Sequence, residues 1–430
     1  MPYSHFVTLN RFCFAPVRRT FTVSGLAPKQ RLRGSQLSNS TLAFGPQHPA
    51  AHGVLRMALQ LEGEILSRLD ACFGYLHRGT EKLIETRTFL QALPYFDRFD
   101  YVANLFHEHA FCLTVEALSE GRDFATAPLQ CVRLLLDELS RYLNHLLTLS
   151  ASALDLGAMG PIFWAFEERE YAFELFEGPS GARMHTGLHR PFNFDFTVLS
   201  RRFFLELSRL LTRCGRALAG AFLGLLNNRG FKTRLALVGQ LSKVRLFDYG
   251  ITGVVARSGG VGVDLRRQST GAYGAYSGLV VRTFLGRRGD NLDRFLSRVK
   301  EIAESFCLVA QLLTTLCGRA RHSSLRALEL SLVPTRGKHA SMEALINHFK
   351  LASQGQETLP GISYKGVESP KGEVAIFLVS AGGTRPSRAK LRTPVSHNMH
   401  LIPATSRGTV LSDFVATFCA YDIVLGEIDR

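Results

Sequence analysis

From Val54 the chain reads "VLRMALQLEGEILSRL", in which Leu55, Met57, Leu59 and Leu61 alternate with Arg56, Gln60 and Glu62. Period two marks a half-buried strand, and Gly63–Glu64 predicts a turn into a second strand, hence a hairpin. Beyond it the period lengthens. Val102, Leu105, Phe106, Ala110 and Leu113 recur at helical spacing. So do Leu129, Val132, Leu135, Leu136, Leu139, Leu143 and Leu146, with Pro128 at a plausible first helical position. A segment from about Phe196 to Leu226 repeats the pattern and ends at "NNRG", a C-cap signal. Another helix begins after Asp290, carries Leu292, Phe295, Leu296, Val299, Ile302 and Phe306, and stops near Gly318. Toward the end "EVAIFLVS", "AGG" and "AKLR" read as strand, turn, strand. The order predicts an α+β fold: a central helical bundle flanked by a small N-terminal β-sheet and a C-terminal α/β region. The expected divisions are 1–40 (a basic segment), 41–76 (hairpin and histidine loop), 77–350 (helical core) and 351–430 (C-terminal β/α region).

Composition narrows the class. The 430 residues are 46% hydrophobic and 20% charged, which is globular composition with length for one or two domains. No window approaches about 18 consecutive apolar residues, so no transmembrane helix is expected. The net charge of +15 implies an acidic partner: nucleic acid, anionic lipid or a negative protein surface. The aromatic residues are scattered through apolar helices rather than interleaved with basic ones, which weighs against an RNA-associated scaffold. The eight cysteines (13, 72, 112, 131, 214, 307, 317 and 419) never form a CxxC pair. The chain therefore offers no obvious zinc or iron–sulfur ligand set, and buried free thiols in a reducing compartment fit best. The first acidic residue is Glu62; before it come Arg11, Arg18, Arg19, Lys29, Arg31 and Arg33, with many Ser and Thr. That segment reads either as a mitochondrial transit peptide or as a basic arm lying on a partner.

Candidate chemistry is sparse. "GPQHPAAHGVLR" (45–56) holds His48 and His52 four positions apart, but Pro46, Pro49 and Gly53 make it a loop, not half a zinc site on a helix. "FHEHAF" holds His107, Glu108 and His109; residues i and i+2 do not share a helix face, so an exposed polar turn is expected rather than a metal site. His145, in an apolar helix, reads as a satisfied core histidine. In "PYFDRFDYV", Asp97 or Asp100 can cap a helix start after Pro94, while Tyr101 is either core or functional. Asp155, in "SALDLGAMGP", is either an exposed acid at a helix end or, if buried, a carboxylate that needs a partner, a histidine being the obvious one. "RSGGVGVDLR" is no dinucleotide fingerprint, and neither a P-loop nor a GxSxG elbow occurs.

Ten longer stretches then occur in order: "GPQHPAAHGVLR", "GYLHRGTEKLIE", "LPYFDRFDYV", "NHLLTLSASALDLGAMGP", "FEERE", "SGARMH", "GRRGDNLDR", "SMEALINHFK", "ESPKGE" and "DIVLGEIDR". From about Thr41 to Arg430 the chain resembles the 49-kDa subunit family of respiratory complex I, which includes its bacterial counterparts. That family is similar in fold to the large subunit of nickel–iron hydrogenases, whose metal is held by two cysteine pairs; the corresponding "GYLHRG" and "DIVLGEID" lack them. The resemblance implies a proton-pumping NADH:ubiquinone oxidoreductase of the mitochondrial inner membrane, matrix side, with this chain peripheral to the membrane. It implies ubiquinone as substrate and a [4Fe-4S] cluster held by a neighbouring small subunit. The other implied partners are a 30-kDa-type subunit and a membrane subunit at the entrance of the quinone tunnel; no nucleic acid is implied. The family's quinone ligands match His52 and Tyr101, the acid behind the histidine matches Asp155, and Arg78, Arg98 and His185 match positions beside the partner's cluster. His48 is then structural. Two further readings are a related hydrogenase-like membrane redox complex and a non-catalytic scaffold on the same fold.

The chain departs from the family pattern at several points. "RPFN", with Phe192, replaces an "RPGG"-type turn; Val263 replaces an aromatic before "DLR"; Ala381 makes "SAG" of "SDG". The segment 335–343 is shorter than usual, and "FHEH" is peculiar to this chain. These changes bear on loop geometry more than on chemistry.

Overall fold

The hairpin that the alternating pattern predicts is the middle of a three-stranded antiparallel sheet in a computed structural model. The described residues are 39–48, 53–119, 127–191, 199, 201–217, 222, 224–268, 274–322 and 342–430. The sheet runs β1 (Asn39–Phe44), β2 (Arg56–Glu62), β3 (Ile65–Cys72). Along β2, Met57, Leu59 and Leu61 point into the core while Arg56, Gln60 and Glu62 stay outside, and Gly63, at φ 66°, makes the turn.

Helices fill the middle. They are α1 (Thr80–Thr86), α2 (Phe89–Asp97), α3 (Asn104–Ala117), α4 (Ala127–Asp155), α5 (Gly160–Ser180) and α6 (Arg201–Ala217). The short helices α7 (Gly224–Asn227), α8 (Arg229–Leu235), α9 (Lys243–Asp248) and α10 (Gly253–Ser258) follow, then α11 (Asn291–His322) and α12 (Met342–Ser353). A second antiparallel sheet, β4 (Gly361–Ser369), β5 (Gly372–Ser380), β6 (Arg388–Arg392), precedes α13 (Pro394–Ser406), α14 (Leu411–Ala420) and α15 (Leu425–Asp429). The fold is α+β. No helix among the described residues is long and apolar enough to cross a membrane.

The ends of the chain pack crosswise. The C-terminal sheet joins the central core: Val367, Val374 and Ile376 belong to one buried cluster with side chains of α2 to α6 and α11, and α3 packs directly on β4 and β5. The N-terminal sheet instead shares its core with the C-terminal helices, Met57 and Leu59 lying in one cluster with Met399, Phe414 and Phe418. Leu66 N–H donates to Thr409 O (2.9 Å) and Gly408 N–H to Leu66 O (2.8 Å), stitching β3 to the turn before α14.

Several expectations need correcting. "FHEH" is not an exposed turn: His107, Glu108 and His109 are almost wholly buried on α3, which is enclosed by α2, α4, β4 and β5 and has no face left for water. The segment expected as one helix to Leu226 holds two described helices, α6 and α7, the second ending at Asn227 inside "NNRG" as the motif predicts. Asn228 then opens α8, its side chain accepting from Gly230 and Phe231 N–H. Pro94 lies inside α2, so Asp97 ends that helix and Asp100 follows it, and neither starts one. Cys72 and Cys307 are exposed, whereas Cys112 and Cys131 are buried free thiols. The N-terminal basic segment (1–38), His52, Phe192 and most of 335–343 lie outside the described residues.

The core contains charge as well as apolar surface. Arg257 is fully buried, with Nη1 2.6 Å from Glu368 Oε1 and Nη2 2.8 Å from Glu301 Oε1. Burial opposes that charge, but the carboxylates hold the guanidinium above its usual range. His145 is a core histidine as expected but only half satisfied: Nε2 lies 3.0 Å from Glu301 Oε2, while Nδ1 is buried without a hydrogen-bond partner among the described residues. Glu301→Gln removes the negative partner both groups share and leaves Arg257 under-compensated. Breaking such a buried pair costs about 3–5 kcal/mol, so thermal unfolding of the assembled chain should begin several degrees lower; an unchanged transition would refute the role assigned to Glu301.

Candidate functional site

A cavity of about 410 Å³ opens between the loop after β3, the end of α2 and the C-terminal helix α15. Arg78, Arg98, Tyr101 and His185 all line it, together with Gly426 and Arg430. Four of the six residues singled out in the sequence therefore converge on one place, although 107 positions separate Arg78 from His185.

Each is put there by an identifiable local device. Gly74 N–H and Leu76 N–H donate to the two carboxylate oxygens of Asp429 (2.9 and 2.8 Å), and Arg78 N–H donates to Arg430 O (3.2 Å). The C-terminal "GEIDR" thus shapes the loop that presents Arg78. Arg98 ends α2 and donates from Nη1 to Pro94 O (2.8 Å). Tyr101 follows in the short connection to α3, where Asp100 Oδ1 accepts from Val102 N–H (3.1 Å). His185 Nδ1 lies 3.3 Å from Asp97 Oδ2.

Behind the lining lies a buried polar layer. Lys371 Nζ is 2.6 Å from Asp100 Oδ2 and donates to Asn144 Oδ1 (2.7 Å). Burial disfavours the ammonium, but Asp100, Asp422 and Glu427 more than offset that and raise its pKa. Burial, with the neighbouring Asp100 carboxylate, pushes the Tyr101 phenol up to about 12, against a smaller downward pull from Lys371. On the other side of the pocket, burial and a hydrogen bond to Asp97 drive Glu108 well above the usual carboxylate range. Glu108 also accepts from Gly187 N–H (3.1 Å) and His189 N–H (3.0 Å), fixing the loop that carries His185.

The pocket is therefore cationic at its rim, with Arg78, Arg98 and Arg430, and holds a phenol that stays protonated at any physiological pH. It can bind an electron-rich oxygen and supply it with a proton. Asp155, the last residue of α4, is not part of this lining. It accepts a hydrogen bond from Cys419 Sγ of α14, whose thiol burial and the Asp155 carboxylate push well above its ordinary range. A histidine was the partner expected; among the described residues Cys419 fills that place. His48 packs its ring against Phe44, centroids 4.1 Å apart, as a structural residue would.

Reading by motif missed Asp429, Lys371 and Gly426. The first two are polar residues in otherwise ordinary C-terminal runs, and their partners are 353 and 271 positions away. Their presence in "DIVLGEIDR" and "ESPKGE" is the only local signal.

A family model described as "Respiratory-chain NADH dehydrogenase, 49 Kd subunit" matches residues 155–430. The chain is 43% identical over 396 residues to a protein of Paramecium tetraurelia named NADH-ubiquinone oxidoreductase 49 kDa subunit, covering 90% of this chain and 98% of that one. It is 41% identical over 401 residues to an NADH-quinone oxidoreductase subunit of Cereibacter sphaeroides, covering 93% of this chain and 98% of that one. With the NADH-quinone oxidoreductase subunit of Anaplasma marginale the identity is 40% over 416 residues, covering 94% of this chain and all of the relative.

Gly426 is the tightest point of the wall: a Cβ there would lie 2.5 Å from Phe99 O, in the segment that carries Arg98 and Tyr101. Gly426→Ala must push that segment aside, an overpacking that costs about 1–3 kcal/mol. A lowered melting temperature is expected for Gly426→Ala and none for Gly160→Ala, where a Cβ meets open space. Equal behaviour of the two variants would contradict this close approach.

Proposed function

The chain belongs to the 49-kDa subunit family of respiratory-chain NADH dehydrogenase, and we propose that the pocket beside Tyr101 is where it takes part in reducing a quinone. The observation that carries this reading is the convergence of Arg78, Arg98, Tyr101 and His185 on one cavity. In this reading the electrons come from a [4Fe-4S] cluster held by the neighbouring small subunit. The chain's own residues bind the headgroup, exclude water and supply protons. Its place is the matrix side of the mitochondrial inner membrane, and its likeness to the nickel–iron hydrogenase large subunit belongs to the same reading. Its excess positive charge then faces partner subunits or anionic lipid.

Two-electron reduction of a quinone consumes two protons. Tyr101 holds one on its Oη. Because burial and Asp100 keep the phenol protonated up to about pH 12, it remains a donor until an oxygen basic enough to take its proton sits against it. Once it has given the proton, the phenolate stands buried beside the Asp100 carboxylate, and that like charge favours its reprotonation. Lys371, paired to Asp100, supplies the nearby positive charge that makes the phenolate tolerable for that interval. The family resemblance assigns the second proton to His52 together with Asp155. The change of charge there can pass to the membrane partner, which would couple reduction to proton pumping.

On the cluster side, the cationic Arg78 and Arg98 favour extra electron density nearby and so raise a neighbouring cluster's potential. His185, held by Asp97, adds a group that can take up a proton as the electron arrives.

The decisive measurement is NADH:quinone reductase activity beside electron transfer to an artificial acceptor upstream of the quinone. Tyr101→Phe is expected to lower the first by about 100-fold or more, the range of general-acid contributions, and to leave the second intact. Asp155→Asn should likewise slow quinone reduction while the cluster stays reducible. Full quinone reduction in Tyr101→Phe would overturn the assignment. For His185→Met, the midpoint potential of the partner's cluster should lose its pH dependence; an unchanged slope would remove His185 from the proton-linked role.

A further inference from the structure

Away from the pocket, α3, α4 and the loop after α5 meet at a second cluster that the quinone reading leaves unused. His109 on α3, Asp137 on α4 and His189 in the loop are 2%, 0% and 0% exposed. His109 Nδ1 is 2.6 Å from Asp137 Oδ2, and His189 Nε2 is 3.0 Å from Asp137 Oδ1. The two imidazole rings lie 5.3 Å apart, and one ligand atom from each residue falls within 4.8 Å of the other two. We propose that His109, Asp137 and His189 form a buried structural site for a zinc ion.

Four features support it. The ligand set is two imidazoles and one carboxylate, converging from separate elements, which is a donor combination zinc favours. The two imidazoles face different oxygens of Asp137, at 2.6 and 3.0 Å; tetrahedral coordination at about 2.0–2.1 Å sets ligand atoms roughly 3.3 Å apart, so a bound ion draws His109 back by roughly 0.7 Å and His189 by less. The site centres on one carboxylate whose partners are the two imidazoles. Asp137 is fully buried, and the nearby Arg133 is already committed to Glu116, with Nη2 2.6 Å and Nη1 3.0 Å from its oxygens. A divalent cation would neutralise that carboxylate where isolated negative charge is expensive. Finally, the ligands are held in advance: Glu108 accepts from Gly187 and His189 N–H and so fixes the loop, while His109 is carried by a fully buried helix turn. A water can complete the coordination sphere.

The site also falls on "FHEH", where this chain departs from the family's pattern, so it is not supplied by the family's motifs. Its effect would be to pin three core elements behind the pocket, with no part in electron transfer.

The test uses the intact complex purified without chelator. Elemental analysis should find zinc in the wild type, and about one equivalent per chain fewer in His109→Gln and in His189→Gln. Electron transfer to an upstream artificial acceptor should be unaffected, and the melting temperature of the assembled chain should fall. Absence of zinc from the wild-type complex, or equal zinc in wild type and both variants, overturns the proposal; the three residues are then a carboxylate bridged by two imidazole N–H groups. If the variants fail to assemble, anomalous scattering at the zinc edge from wild-type crystals decides the matter. A peak between the three side chains supports the site, and its absence there rules the site out.

Discussion

The whole pocket hangs on one carboxylate. Asp429, next to last in the chain, accepts the N–H groups of Gly74 and Leu76, the first of them 355 positions away. Closing so long a loop costs conformational entropy that a single pair of hydrogen bonds cannot meet. It persists because the surrounding packing brings the same segments together: the N-terminal sheet has its apolar face against α13 and α14, and α15 follows directly. Asp429 then converts rough proximity into a defined position for Arg78, and Gly426, by having no side chain, lets α15 come within reach of Phe99. The cavity is what remains between these fixed parts.

Behind it, the protein tolerates many buried charges by never leaving one alone. Lys371 answers Asp100, Arg257 answers Glu301 and Glu368, and Arg133 answers Glu116. Such pairs contribute little net stability compared with apolar side chains of the same size, yet removing one partner is costly. Their value lies in direction: each holds a helix or loop in one rotation. For Tyr101 the consequence is chemical, since Asp100 and Lys371 act on the phenol from the same ion pair with opposite signs.

What could be read along the chain was whatever depends on near neighbours. The period-two run of β2, the turn at Gly63 and the long apolar stripe of α4 all express local spacing, and they are found where the pattern put them. The errors share a cause. "FHEH" looks like surface because its polar residues are strong hydrogen-bonding groups; it is core because Asp137, Glu427 and the backbone at 187 and 189 supply partners from far away. "NNRG" does close a helix, at Asn227, but it also opens the next: Asn228 accepts from Gly230 and Phe231 N–H, a start that the end signal hid. The convergence of Arg78, Arg98, Tyr101 and His185 came from motif resemblance. Periodicity alone placed none of them in a common site, and Asp429 and Lys371 stayed invisible because their partners are hundreds of residues off.

The crosswise packing of the two ends bears on how the protein is made. The first sheet leaves the ribosome early, but the helices that cover its apolar face, and the 408–409 turn that pairs with Leu66, are translated last. At about 5–20 residues per second, the interval is tens of seconds, during which Met57, Leu59 and Leu61 have no native cover. Nascent hairpins of this kind are clients for holding chaperones. A transcript truncated before its final segment yields a chain with an uncovered N-terminal sheet and no Asp429, so the error is exposed at both ends at once.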